Sequence, residues 1–349
     1  MNNLLEYSER LNCADEAERI YAAEDIGYLN SADAVPALLE RLGKEPSCAA
    51  RDAIFQALTR IDAEAAIEAC VRLLESDDPQ IRNQAVDVLR RKGAGSIPFL
   101  KTIMRDGDKD LRKLALDVLG EVHGGDSEAI YEAALTDQDP NVVITAVENL
   151  GRMRVTAFRS RIEHLLEGDC HPMLIGACLE ALVGIGNESS LGAIRRCFPD
   201  LAALPDFLLV PWLKAIGALG TAAELSGLAE LLVTCNSHLR PAILGALIAI
   251  HQRHPEEAYC EPLVPALEAV VEDGDPPLYR YQAVRALGLL ATRDDVYSFL
   301  ISCLSSSERL VRLGAAETLR TSAHAGWGPI LAAHALEESD EEVLQALSC

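Results

Sequence analysis

Aromatic residues are scarce in this 349-residue chain, at 5% of the sequence, and none of the ten cysteines forms a CxxC pair. Long hydrophobic runs are also lacking, because no stretch of about 18 apolar residues occurs, as a membrane helix would require. The start, MNNLLEYSERLNCADEAER, has neither the basic nor the apolar region of a signal peptide. We therefore predict a cytoplasmic protein without membrane contact, whose cysteines are reduced.

Positively charged residues are few relative to negatively charged ones. Lys and Arg number 31 against 54 Asp and Glu, which gives a net charge of -23. A long phosphate backbone would be repelled by such a chain, so nucleic acid is excluded as a predicted partner. The only adjacent Cys-His pair, Cys170-His171, has no further ligands at zinc spacing. No phosphate loop or nucleophile elbow occurs either, so we predict no catalytic residue, metal or cofactor.

What the chain does contain is one short motif many times over. The stretch DDPQIRNQAVDVL, which starts at Asp77, returns as KDLRKLALDVLG from Lys109 and ERLVRLGAAETL from Glu308. Each copy contains a hydrophobic residue near its start, which we call the leading hydrophobe, and in many copies an arginine follows it directly. This arginine returns at steps of about 31 residues. In the middle of the chain, Val143 and Ile175 stand in its place. The seven arginines are Arg19, Arg51, Arg82, Arg112, Arg240, Arg280 and Arg312.

The spacing inside each copy predicts a helix. In Ile81, Ala85 and Leu89 a hydrophobe, a small residue and a leucine stand four apart, which makes one helical stripe. A second amphipathic segment precedes each stripe, so every repeat reads as a helical hairpin. We count about eleven hairpins, the last cut short. A hairpin of this length must bury its apolar faces on its neighbours, and small residues such as Cys178 let adjacent layers approach closely.

The turn before the second helix is also regular. Asp78, Asp108 and Glu308 each stand four residues before the repeat's arginine, where a carboxylate can cap the helix amino terminus. We further predict that the arginines reach carboxylates of adjacent repeats and form a ladder of charge-assisted bonds along the stack.

The stretches DPQIRNQAVDVLRRKG, DKDLRKLALDVLGEV and DPNVVITAVENLGRM resemble HEAT repeats, in the short variety called phycobilisome-lyase HEAT-like repeats. The resemblance implies an all-α, right-handed α-solenoid whose second helices line a concave face, and a binding scaffold as its role. We expect one continuous solenoid. Regular repeats would occupy 1–187, irregular ones with longer connections 188–278, and regular ones ending in a truncated unit 279–349.

The sixth residue after the leading hydrophobe is expected on the concave face, and we call it the row position. Repeat stacking spaces such residues roughly 10 Å apart, too wide for a catalytic pair or a shared metal. The carboxylates at this position, which we call the acidic row, suit a basic helix or tail of a partner protein, although ordinary solvated charge remains the alternative. The acidic row consists of Glu24, Asp87, Asp117, Glu148 and Glu180.

A second predicted contact point is Tyr281 with Arg285 one turn on. Basic residues also gather near the ends of the third and fifth repeats, where helix carboxy termini favour cations for structural reasons. We predict a non-enzymatic scaffold or adaptor that binds a protein along its concave face. The alternative is a bilin lyase-like enzyme or chaperone subunit that handles a tetrapyrrole and its acceptor protein. HEAT-type di-iron hydroxylases carry His-Glu dipeptides, and this sequence has none.

Overall fold

The computed structural model describes residues 2–122, 127–168, 171–199, 204–255, 262–289, 294–321 and 326–348. Every regular element in these ranges is helical, which confirms the all-α prediction. The chain divides into two compact units, Met1–Met153 and Arg154–Cys349. The predicted division into three segments is not tested by these observations and stays a prediction.

The first unit contains ten α-helices within the described ranges. They are α1 (Asn2–Leu11), α2 (Glu16–Leu29), α3 (Val35–Leu42), α4 (Cys48–Arg60), α5 (Glu64–Leu73), α6 (Pro79–Lys92), α7 (Ile97–Asp106), α8 (Lys109–Leu119), α9 (Ser127–Ala134) and α10 (Pro140–Arg152).

The second unit contains twelve, again within the described ranges. They are α11 (Arg159–Glu167), α12 (Pro172–Ile185), α13 (Glu188–Cys197), α14 (Asp206–Leu219), α15 (Leu225–Thr234), α16 (Arg240–Arg253), α17 (Leu263–Glu272), α18 (Pro277–Leu289), α19 (Asp294–Cys303), α20 (Arg309–Thr321), α21 (Trp327–Ala335) and α22 (Glu341–Ser348).

Consecutive helices pair as hairpins, so the 22 described helices form the eleven hairpins that the repeat count predicts. Within each unit, the second helix of one hairpin packs on the second helix of the next. In the first unit the order is α2, α4, α6, α8, α10, and in the second it is α12, α14, α16, α18, α20, α22. Each unit is therefore a stack of layers in which one hairpin supplies the core of its neighbour.

Small residues line the contacts between layers as predicted. Ala85, Ala115, Ala146 and Cys178 are all fully buried. Gly27 in α2 shows why a larger side chain is excluded. A Cβ at this position would lie 3.0 Å from the Cα of Ala57 in α4, which is closer than side chains normally approach backbone.

Carboxylates cap the second helices where the sequence places them. The side chain of Asp78 accepts a hydrogen bond from the backbone N–H of Gln80, and Asp108 accepts from the N–H groups of Asp110 and Leu111. These bonds satisfy amide groups that have no partner inside the helix. The predicted capping role is thus confirmed for Asp78 and Asp108, and it stays a prediction for Glu308.

Candidate functional site

The arginines of the motif join adjacent hairpins, and three of them do so with a forked, two-bond pair. Arg19 in α2 donates from Nε and Nη2 to both carboxylate oxygens of Glu45, at 2.8 and 2.9 Å. The other pairs are Arg112–Asp137 at 2.6 and 2.7 Å and Arg312–Glu338 at 2.7 and 3.1 Å. Each acid belongs to the next hairpin, so these pairs confirm the predicted ladder.

Two further arginines also reach the next hairpin. Arg51 binds Asp78 at 3.1 Å, and Arg240 binds Asp273 at 2.9 Å and also Asp275. The remaining two bind within their own hairpin. Arg82 donates to the carbonyl oxygen of Ser76 at 2.6 Å and Arg280 to that of Val271 at 2.6 Å.

The acceptors share a position that the sequence analysis missed. Glu45, Asp137 and Glu338 each stand two residues before the residue that caps the following second helix, and each also accepts a hydrogen bond from that residue's backbone N–H. We call this position the turn slot. Ser76 and Ser306 occupy it in two other hairpins and accept the same backbone bond with Oγ, at 3.2 Å each.

Two of the turn-slot acids, Glu45 and Glu338, are held ionised. Burial raises the pKa of Glu45, but hydrogen bonds from Arg19 and Arg41 and from the N–H of Ser47 outweigh this effect and lower the pKa to about 2. Hydrogen bonds from Arg312 likewise lower the pKa of Glu338 to about 2. The arginines that pair with these acids therefore serve packing between layers, since their charges are balanced by the carboxylates.

The acidic row of the first unit lies on four of its five second helices, α2, α6, α8 and α10. Asp87 on α6 and Glu148 on α10 are exposed, while Glu24 on α2 and Asp117 on α8 are half-buried. Asp87 also bonds Arg90 at 3.2 Å, one turn away on the same helix. The structure thus places these four predicted residues at matching positions of packed helices. Whether they bind a partner stays a prediction.

Asp117 differs from the other members of the acidic row. Its carboxylate accepts no hydrogen bond from any residue that the structure describes. Burial raises the pKa of Asp117, and the charges of Arg90, Lys113 and Arg152 act against this effect without cancelling it. Asp117 is therefore a half-buried carboxylate that accepts no hydrogen bond within the described part of the chain but lies near three cations.

In the second unit the row position carries both signs of charge. Glu180 on α12 pairs with Lys214 on α14 at 2.7 Å, and both side chains are more than half exposed. Lys214 holds the row position of the degenerate repeat LLVPWLKAIGALG, although the sequence analysis did not assign it. Aligning the second helices by the residues at which they begin would have assigned Lys214 to the row position. The negative charge of Glu180 is thus compensated within the unit.

Tyr281 and Arg285 lie together on α18 as predicted, but both face Glu317 of α20. The hydroxyl of Tyr281 donates to Glu317 at 2.8 Å, and Arg285 lies 3.4 Å from the same carboxylate. Burial and the bond to Glu317 raise the pKa of Tyr281. The two side chains therefore link adjacent hairpins, and their role in binding a partner stays a prediction.

The basic cluster near the ends of the third and fifth repeats also has structural partners. Nζ of Lys92 donates to the carbonyl oxygens of Thr59, at 2.8 Å, and Ile61, at 2.5 Å, at the carboxy end of α4. Arg159 donates in the same way to Ile185 at the end of α12, at 2.6 Å. These contacts bear out the prediction that such cations stabilise helix carboxy termini.

Metal-binding geometry is not found among the described residues, where no three His, Cys, Asp or Glu side chains could hold an ion together. His171 caps α12, since its Nδ1 accepts from the N–H of Met173 at 3.2 Å. Cys170 lies outside the described residues. No described helix is long and apolar enough to cross a membrane.

These features define a tandem helical-hairpin repeat protein with an α-solenoid fold. Comparison with known families identifies it more closely: a model of HEAT repeats matches residues 6–90, 97–183 and 263–348. The chain belongs to the HEAT-repeat family. The phycobilisome-lyase variety stays a prediction. A search of curated protein sequences gave no match.

Solved structures share the fold at low sequence identity. Kap121p matches with a TM-score of 0.60 at 13% identity over 99% of this chain and 45% of its own. Kap95p, solved with RanGDP, matches with a TM-score of 0.64 at 13% identity over 98% of this chain and 56% of its own. Kap121p bound to Ste12p gives a TM-score of 0.58 at 13% identity, over 99% and 44%. The chain thus spans about half the length of these structures, and the likeness concerns the fold alone.

Proposed function

We propose that the protein is a non-enzymatic scaffold or adaptor that binds a partner protein along the exposed face of its second helices. The observation that carries the proposal is the acidic row of the first unit, where carboxylates recur at the same position of α2, α6, α8 and α10. We infer that the partner presents a basic helix or tail, because charge complementarity of this kind speeds association and selects the partner.

The structural use of the other charges supports this interpretation. Arginines of the ladder and cations at helix ends are engaged in bonds between or within layers. Among the residues that the structure describes, the carboxylates of Glu24 and Asp117 have no such role, and that of Asp87 bonds only Arg90 on its own helix. Kap121p, which shares the fold, has been solved with Ste12p and with the SUMO protease Ulp1p. Protein partners are therefore compatible with a stack of this type.

The test is a charge reversal with a matched control. Replacing Asp87, Asp117 and Glu148 with Lys should abolish co-purification of the partner from native lysate. The same reversal at Asp33, Glu64 and Glu128, which are exposed on or beside the first helices, should leave it intact. Helical content measured by circular dichroism confirms that both variants fold. Retention of the same proteins by the first variant contradicts the proposal.

A further inference from the structure

A groove of about 670 Å³ opens between the third and fourth hairpins, beside the amino ends of α6 and α8. One wall is the turn before α6 together with Arg82. The other wall is one face of α8, which contributes Asp110, Leu114 and Asp117 at helical spacing. The groove therefore includes one member of the acidic row and lies wholly inside the first unit.

The groove opens where the ladder lacks a bond between hairpins. The turn slot that faces Arg82 is Asp106, two residues before the capping Asp108. Helix α7 continues to Asp106, whose carboxylate binds its neighbour Arg105 at 2.7 and 2.9 Å instead. Among the residues that the structure describes, Arg82 has no carboxylate partner. Nothing draws the two turns together here, in contrast to the forked pairs elsewhere.

The lining of the groove is predominantly acidic. Five carboxylates face two cations, and of the five only Asp108 is used as a helix cap. The other four have no ion-pair partner within the described parts of the chain. The carboxylates are Glu75, Asp77, Asp108, Asp110 and Asp117, and the cations are Arg82 and Lys113.

Apolar surface lies between these charges. Leu111 and Leu114 on α8 are half-buried and line the groove directly before Asp117. A lysine or arginine side chain fits a leucine surface followed by a carboxylate, because its aliphatic stem covers the apolar groups while its charged end reaches the acid. The half-buried Asp117 suits such a cation, since its carboxylate is partly shielded from water and has no hydrogen bond or ion pair at contact distance within the described residues.

We propose that this groove anchors an extended, lysine- or arginine-bearing segment of the partner protein, with one basic side chain lying over Leu111 and Leu114 and bound to Asp117. The inference rests on the proposed function and locates its principal contact. Asp110, at the rim, receives a second basic residue. Lys113 opposes the binding of a basic segment, so its removal strengthens binding.

The experiment measures fluorescence anisotropy of a short labelled peptide of alternating lysine and alanine at low ionic strength, using the full-length protein. Wild type should bind it saturably. Asp110→Asn with Asp117→Asn should raise the Kd roughly tenfold, as expected for a partly desolvated charge pair. Lys113→Gln should lower the Kd about twofold to threefold. An equivalent peptide of glutamate and alanine should bind more weakly to every variant.

Two control variants each neutralise two carboxylates outside the groove. Asp87→Asn with Glu148→Gln alters the acidic row outside the groove, and Asp33→Asn with Glu128→Gln alters the first-helix side. Weakening by the acidic-row pair alone overturns the groove inference and leaves the proposed function standing. Equal weakening by all three pairs shows unspecific attraction and overturns the inference, as does the absence of saturable binding. Tighter binding of the glutamate peptide shows an anion site at Arg82 and Lys113 and also overturns it.

Discussion

Glu45 is a turn-slot acid that binds two arginines. It is 4% exposed and accepts hydrogen bonds from Arg19, Arg41 and the backbone N–H of Ser47. A buried carboxylate with this many donors is stable only as the anion, so its contribution to stability depends on remaining ionised. The stability of the contact between the first two hairpins thus depends on pH through Glu45.

Replacing Glu45 with Ala should destabilise the first unit by about 3 kcal/mol, because Arg19 would be left buried without its partner. The folded-state pKa of Glu45 is lowered from 4.5 to about 2. Its contribution is therefore fully present above about pH 4.5 and is lost as the pH falls towards 2. Hydrogen exchange of peptides from α2 and α4, measured at pH 7 and pH 3, checks both statements.

Glu40→Ala is the matched control for Glu45→Ala, since Glu40 pairs only with Lys44 on the exposed side of α3. It should change the exchange rates little at either pH. Equal protection of α2 in the Glu45→Ala variant and in wild type at pH 7 would show that the forked pair contributes nothing to stability.

The carboxy end of α4 is bonded by a cation from the neighbouring hairpin, Lys92 on α6. Lys92→Met should remove both hydrogen bonds to the end of α4 and raise exchange of the last turn of that helix, at a cost of about 2 kcal/mol. Arg91→Met is the control, because Arg91 is exposed on the adjacent position. Mass spectrometry of peptides covering Ile54–Ile61 gives the measurement. Similar exchange in both variants would contradict a capping role for Lys92.

Sequence periodicity is sufficient to predict the helices and the ladder, since the apolar stripe recurs along the chain and the arginine recurs in seven of the eleven hairpins. It does not predict which arginine lacks a carboxylate partner, because that depends on where the first helix of the next hairpin ends. Asp106 has the residue type of a turn-slot acid, yet the continuation of α7 directs it to Arg105. Lys214 was missed for a related reason, since its repeat lacks the leading motif that sets the frame.

The acidic row was predictable as a pattern, but its local environment was not. The sequence places Asp117 and Glu148 in equivalent positions, whereas the structure makes the first half-buried beside a groove and the second exposed. The difference depends on how the neighbouring hairpins pack around each residue. Contacts between two hairpins cannot be predicted from the spacing of residues within one helix.

Across the chain as a whole, the excess of acid opposes folding while the ladder supports it. A net charge of -23 produces repulsion that acts over long distances and is screened by salt. The forked pairs act at hydrogen-bond distance, and in Arg19–Glu45 both side chains are at least 92% buried, so salt weakens them much less. The two contributions therefore respond differently to ionic strength.

We expect the melting temperature at pH 7 to rise as the ionic strength increases from about 0.01 M to about 0.15 M, where the screening length falls from about 30 Å to about 8 Å. Repulsion among the carboxylates then decreases while the buried pairs persist. Circular dichroism at 222 nm follows the transition, and sodium and potassium chloride should give the same result because screening depends on charge alone. The Glu45→Ala variant should show the same upward trend from a lower starting point. A melting temperature that falls with salt would mean that exposed ion pairs outweigh the excess negative charge.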